Sequence, residues 1–189
     1  MKKIYYVLGV CGLILCGCGG QKQMVQQKSQ EDVEVLVPCS GPEYMPDAEH
    51  FRASAMGISN SQEIASQKAM TAARAKLASA IQTTVKTVTD NYSSSYEMGQ
   101  QEEAKGRFQS ITREVVNQTL NGVKVICQKM MKSPDGQYKA YVAIELGGID
   151  VVKALSNKIS NDDKLRVDYE YEKFKKVFDE EMKNAAGQQ

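Results

Sequence analysis

Tryptophan is absent and histidine occurs once, as His50. A lone histidine excludes a His-rich metal site, and it leaves any Ser–His or Cys–His mechanism a single base to draw on. Beside Phe51 it reads as a surface or packing residue. Aromatic residues are 7% of the chain, which argues against a sugar-stacking surface, although Tyr can stand in for Trp. Neither sign of charge dominates, with 24 Lys and Arg against 23 Asp and Glu. That balance excludes the global basic field of a nucleic-acid or acidic-lipid binder. There is no P-loop and no GxGxxG phosphate cradle. The 5 cysteines fall into no zinc-type pairing. Beyond Leu15, no apolar run of spanning length follows.

What is present begins at the N-terminus. Lys2 and Lys3 form a short positive region, and Ile4 to Leu15 is apolar apart from small residues and Cys11. The run suits a signal peptide and is too short to span a bilayer comfortably. Leu15-Cys16-Gly17-Cys18 then resembles the bacterial lipobox. A thiol is needed there because lipid is attached through a thioether before cleavage, after which Cys18 is acylated again on its amine. Cys11 and Cys16 follow the bulky Val10 and Leu15, where the peptidase wants a small residue. Residues 1–17 are therefore expected to be a lipoprotein signal peptide and Cys18 the lipidated residue. Several acyl chains, at ~0.8 kcal/mol per buried methylene, give an anchor that a single chain does not. Gly19, rather than Asp, follows the cysteine. Under the common sorting rule this favours the outer membrane. No acidic cluster for surface export lies close by, which favours the periplasmic face over the cell surface.

Without Lys2 and Lys3 the chain carries 22 basic and 23 acidic residues. Its 189 residues suit one domain with extensions. Residues 18–31 are rich in Gln, Gly and Lys and read as a lipidated tether with a reach of about 20 Å. An α+β domain is expected over 32–160. Asp32 to Cys39 alternates as a strand does, and Phe51 to Ile58 predicts a second strand. Asn60 is the candidate N-cap of a long helix, with Glu63 completing a capping box. Ala65, Ala69, Ala73, Leu77, Ala80, Ile81, Val85 and Val88 recur at helical spacing, a mostly small stripe that lets a helix lie close on a sheet. Asp90 to Lys105 is polar and Ser-rich and predicts a loop or frayed helix. Phe108, Ile111, Val115 and Thr119 predict a second helix stopped at Asn121-Gly122. Val123 to Lys132 and Tyr138 to Leu146, joined by Ser133-Pro134-Asp135-Gly136, predict a β-hairpin. A short helix over Ile149 to Ile159 follows. Residues 161–189 predict a charged amphipathic C-terminal helix opened by Asp162 or Asp163. Its stripe of Val167, Tyr171, Phe174, Phe178 and Met182 would meet either the domain's own core or a partner helix.

The strand with its small-residue turn, Phe51-Arg52-Ala53-Ser54-Ala55-Met56-Gly57-Ile58-Ser59, the Ala-rich helix from Ala65 through Ala80 and the hairpin from Val123 to Leu146 form a recognisable order. Over roughly Phe51 to Leu146 it resembles the LPP-type twenty-kilodalton bacterial lipoproteins, related to the N-terminal domain of the flagellar T-ring protein. The resemblance implies an antiparallel sheet with a long helix packed across it. It implies no catalytic activity and carries over no functional residue. It does not extend to the charged C-terminal helix.

Chemistry is sparse. Asp162, Asp163, Asp168 and Glu170 lie close together, but not at EF-hand spacing, so helix capping and a solvated face are expected. No metal or cofactor is expected. Cys39 and Cys127 are the cysteines left once Cys18 is lipidated, and two readings stay open. An exported domain can bond them. That would pin the N-terminal strand to the hairpin and close a loop with a nominal ~4–5 kcal/mol of chain entropy. Alternatively they are two separate buried thiols. The expectation is a non-enzymatic, membrane-anchored envelope lipoprotein with a structural or protein-interaction role, its partner another envelope protein or a second copy. The alternative is a glycan or peptidoglycan binding module using Tyr residues and the Asp90 to Lys105 loop.

Overall fold

The structure is a computed structural model that describes residues 35–95, 101–163, 165 and 169–187. The expected signal peptide with Cys18, the tether, Asp32 to Glu34 of the expected first strand, and Val167 and Asp168 all lie outside the described residues. Leu36–Gln189 is one compact unit.

Three strands form its sheet: β1 (His50–Ser59), β2 (Lys124–Lys132) and β3 (Tyr138–Gly147). They are antiparallel in the order β1-β3-β2. β1 pairs with β3 without interruption, from His50 opposite Gly147 to Ser59 opposite Tyr138. The β2–β3 hairpin turns as expected at Ser133 to Gln137, where Gly136 adopts φ +87° and its N–H donates to the Ser133 carbonyl. That left-handed position is where glycine is at ease.

The helix α1 (Gln62–Ser95) crosses one face of the sheet. Its N-cap is Ser61 rather than the expected Asn60. The Ser61 Oγ accepts weakly from the Ile64 N–H at 3.5 Å, which leaves Glu63 one place too early for a capping box. Ala65, Ala69, Ala73, Leu77, Ile81, Val85 and Val88 are all buried, so the apolar stripe faces the core. The small residues permit a very close crossing. A Cβ added at Gly57 would meet the Ala65 carbonyl oxygen at 2.2 Å and the Ala69 nitrogen at 2.5 Å.

With 34 residues, α1 is about 50 Å long, whereas the 10-residue β1 and β3 are only about 33 Å. The helix outruns the sheet, and its second half is covered by helices instead. These are α2 (Gln101–Thr119) and α4 (Tyr171–Gly187), while α3 (Gly148–Ser160) packs on α2 and α4. Phe174 of α4 is the centre of that half. Its ring lies 5.5 Å from Tyr92, 6.3 Å from Phe108 and 5.6 Å from Tyr169, and the Tyr92 hydroxyl accepts the Glu170 N–H at 2.8 Å. Phe178 reaches Phe51 of β1 edge-on at 6.2 Å.

Val35 to Val37 is not strand but exposed irregular chain, and no strand among the described residues pairs with it. Of the loop or frayed helix expected over Asp90 to Lys105, the described parts, 90–95 and 101–105, are helix. Burial of Ser93 and of Tyr92, whose ring meets Phe174 of α4, outweighs the weak helix propensity of the serines. The C-terminal helix opens at Tyr171, not at Asp162 or Asp163. The Asp162 carboxylate accepts instead from the Leu165 N–H at 3.1 Å and from Arg107 at 2.6 Å. The stripe Phe174, Phe178 and Met182 is buried in the same core, so it docks on this domain and not on a partner helix.

Two glycines give opposite predictions. Gly57→Ala drives a methyl group into the backbone of α1 and is expected to destabilise the fold by about 3 kcal/mol or more. Gly106, exposed within α2, has nothing within 4 Å of an added Cβ. Gly106→Ala is expected to stabilise by roughly 0.5–1 kcal/mol through helix propensity. Urea midpoints at unchanged slope measure both.

Candidate interaction surface

The face of the sheet away from α1 carries Arg52, Ser54, Met56 and Ile58 of β1, Glu145, Ala143, Tyr141 and Lys139 of β3, and Lys124, Cys127, Lys129 and Met131 of β2, by strand register. One half of this face is covered. The chain from Cys39 to Asp47 is fixed at both ends of the crossing, to β2 by a Cys39–Cys127 disulfide and to β1 through Arg52.

The disulfide depends on an irregularity in β2. Val125 pairs with Ile144 on the helix-covered side, yet Cys127, two residues on, pairs with Ala143 on the opposite side. The extra residue, Ile126, is a β-bulge that redirects Cys127 toward Cys39. Ala143 is fully buried next to the bond, although its neighbours on this face, Tyr141 and Glu145, are not. Cys39 sits in the left-handed region at φ 57°, directly after Pro38. Proline followed by a left-handed residue is the arrangement of a type II turn, where glycine is usual. A cysteine there costs about 1–2 kcal/mol of backbone strain, which the cross-link offsets.

At the other end of the crossing, Asp47 gathers four donors. The N–H groups of Glu49 and His50 lie 2.8 and 2.7 Å from its carboxylate, His50 Nδ1 lies at 3.1 Å and Arg52 at 2.7 Å. Partial burial pushes the Asp47 carboxyl upward, but the backbone N–H groups, His50 and Arg52 outweigh it, and the net shift is below the ordinary carboxylate range. Arg52 also donates to Glu145, its cross-strand neighbour, at 2.7 Å and to the Met45 carbonyl at 3.0 Å. His50, the lone histidine, therefore belongs to the turn that launches β1.

The other half of the face is open. Its rows are Met56–Tyr141–Lys129 and Ile58–Lys139–Met131. Met56 is 46% exposed, Ile58 37% and Met131 49%. An apolar patch with two lysines at its margin is the composition of a contact surface. The sheet edges differ as well. Lys68 and Lys76 of α1 donate to the Ile58 and Ser54 carbonyls of β1 at 3.1 and 3.0 Å, while no helix packs along β2 among the described residues.

The residues singled out from sequence are thus distributed unevenly. Cys39 and Cys127 are brought together, and His50 joins Asp47. Asp162 is taken up by Arg107 and Leu165, and Tyr92 is buried and closed to a glycan. No group of three or more His, Cys, Asp or Glu that would hold a metal ion occurs among the described residues. The Asp47–Arg52–Glu145 network was missed. Its one visible signal was Asp47 three residues ahead of His50, the spacing at which Asp closes a turn onto its own backbone. No family model, curated protein or solved structure matches the chain.

Two predictions follow from these contacts. Cys39→Ser/Cys127→Ser is expected to lower stability by about 3 kcal/mol, the loop-entropy value less the strain released at Cys39, read from urea midpoints against the oxidised protein. Because the Asp47 pKa is depressed in the folded state, its stabilisation is present above the ordinary Asp range. It is lost as the pH falls through the depressed value. Asp47→Asn is expected to flatten the loss of thermal stability below about pH 4 and to lower stability at neutral pH, as followed by circular dichroism.

Proposed function

We propose that this chain is a bacterial envelope lipoprotein. It is held on the outer membrane, facing the periplasm, by acyl chains on Cys18, and it acts by protein contact rather than by catalysis. The observation that carries the reading is the division of its cysteines. Cys18 closes a lipobox-like sequence directly after an apolar signal run, while Cys39 and Cys127 are bonded to each other. A structural disulfide is at home in an oxidising compartment outside the cytoplasm. No helix among the described residues is long and apolar enough to cross a membrane.

The open half of the sheet supports the contact role. Met56, Ile58 and Met131 stay exposed on a face stiffened by the disulfide and by Arg52. A partner, either another envelope protein or a second copy, would seat its apolar centre there and its acidic groups against Lys129 and Lys139. The sheet-and-helix arrangement is also the one implied by the resemblance to the LPP-type lipoproteins.

Two measurements test the reading separately. Cys18→Ser is expected to abolish the lipid mass increment and to release the chain from sedimented envelopes. Unchanged mass and sedimentation would overturn the anchor. A photo-crosslinking residue at Met56 or Met131 is expected to trap a specific partner in cells, and the same residue at exposed Ser79 of α1 is not. Equal or absent trapping at all three positions would overturn the contact surface.

A further inference from the structure

Away from the strands, α1 and α2 line a cleft of about 290 Å³ that shares no residue with the contact surface. Its rim is formed by Gln82, Lys86 and Asp90 of α1 and by Lys105, Gln109 and Arg113 of α2. Its floor is Thr89, Phe108 and Thr112, all buried. The two threonine hydroxyls donate to carbonyls of their own helices, Thr89 to Val85 at 2.8 Å and Thr112 to Phe108 at 2.7 Å. The floor therefore offers an aromatic ring and aliphatic carbon but no free hydroxyl donor. The donors are on the rim.

The charge of that rim is one-sided. Lys105 is paired with Asp90 at 3.5 Å, which closes one side of the cleft. Lys86 and Arg113 form no ion pair among the described residues. Other cations on the same helices are occupied differently, Arg107 by Asp162 and Glu103, and Lys68 and Lys76 by carbonyls of β1, while Arg74 also forms no ion pair among the described residues. What distinguishes Lys86 and Arg113 is their place: with two amides they stand around one apolar hollow, Arg113 donating only to the Gln109 carbonyl of its own helix at 3.4 Å. Cavities with an apolar floor and a few converging polar groups are the general form of small-molecule sites.

We infer that this cleft binds a small amphiphilic anion, a carboxylate or phosphate head on a compact acyl or aryl body. The head lies between Lys86 and Arg113, where Gln82 and Gln109 supply further donors. The body lies over Phe108 and the side-chain carbons of Thr89 and Thr112. Asp90 holds Lys105 aside and turns away a second negative charge, which sets the preference for one head per ligand. The same chemistry is offered by a soluble organic anion and by the head and first methylenes of an anionic lipid.

The test uses the full chain carrying Cys18→Ser, titrated with octanoate and octyl phosphate and followed by backbone amide shifts. Inorganic phosphate and octanol serve as head-only and body-only probes. Saturable shifts confined to 82–90 and 105–113, with both part-probes at least about tenfold weaker, are expected. Lys86→Gln/Arg113→Gln is expected to weaken octyl phosphate about tenfold or more, with an unchanged far-ultraviolet spectrum, whereas Asp90→Asn does not weaken it. Inorganic phosphate binding as tightly as octyl phosphate, shifts spread over other surfaces, or indifference to the double substitution would each overturn the site. A vesicle arm distinguishes the source. Retention by phosphatidylglycerol vesicles and not by phosphatidylcholine, lost in the double variant, assigns the site to lipid. Binding of the soluble probes without such retention assigns it to a free anion.

Discussion

The position of α1 on the sheet is fixed by a contact in which one partner has no side chain. At Gly57 the helix backbone comes so near β1 that even a methyl group would overlap it. Everything else in the domain answers to that approach. Because Ala65, Ala69 and Ala73 follow at four-residue spacing, the first half of α1 stays close to the strands along its length. Because the helix is much longer than the strands, its second half needs other cover. The larger residues Leu77, Ile81, Val85, Val88 and Tyr92 mark where alanine-width packing on the sheet gives way to helix-on-helix packing. α2, α3 and α4 supply that cover, with Phe174 joining α1, α2 and the chain before α4.

All four helices crowd one side and one end of the sheet, and the other side is left thinly covered. A three-stranded sheet bare on one face would flex, yet here one half of that face is strapped. The strap crosses from β2 to β1, fixed by a covalent bond at Cys127 and by a charge-assisted network at Arg52. The two fixings respond to different conditions, one to reductant and the other to acid. Neither passes through the helical core, so loosening the strap alters the bare face before it alters the packing that holds the fold together.

How much of this was legible in the sequence follows from the physics of each feature. The alanine stripe and the Ser133–Gly136 turn were readable because both are local patterns with a single structural solution. The exposed Val35 to Val37 failed as a strand because alternation reports only a preference, and a strand needs a neighbour. Asp90–Ser95 could be read only as loop or frayed helix because the reason for its helicity, Phe174 and Tyr169 around Tyr92, lies far along the chain. The cysteine pair was accessible by elimination, but the bulge at Ile126 that aims Cys127 has no compositional mark. The α1–α2 cleft was invisible for a similar reason. Lys86 and Arg113 are ordinary surface residues until two helices bring them to one hollow.

The two sheet edges bear on why the bare face, rather than an edge, is the surface proposed to meet a partner. An unpaired edge invites strand addition and aggregation, and proteins blunt edges with lysines and bulges. β1 is blunted by Lys68 and Lys76, which reach down from α1 to its carbonyls. β2 carries Lys124, Lys129 and Lys132 and is broken by the bulge at Ile126. Both edges are thus guarded, while Met56, Ile58 and Met131 remain exposed between them. Exposed apolar side chains on a face whose edges are protected are tolerable in a monomer and become favourable when covered. Covering three such residues contributes roughly 1 kcal/mol or more apiece, given their present partial burial. Contacts of that size are enough for a specific but modest association, and under the proposed anchoring, which would concentrate the protein at one surface, the lysines at the margin would favour an acidic partner.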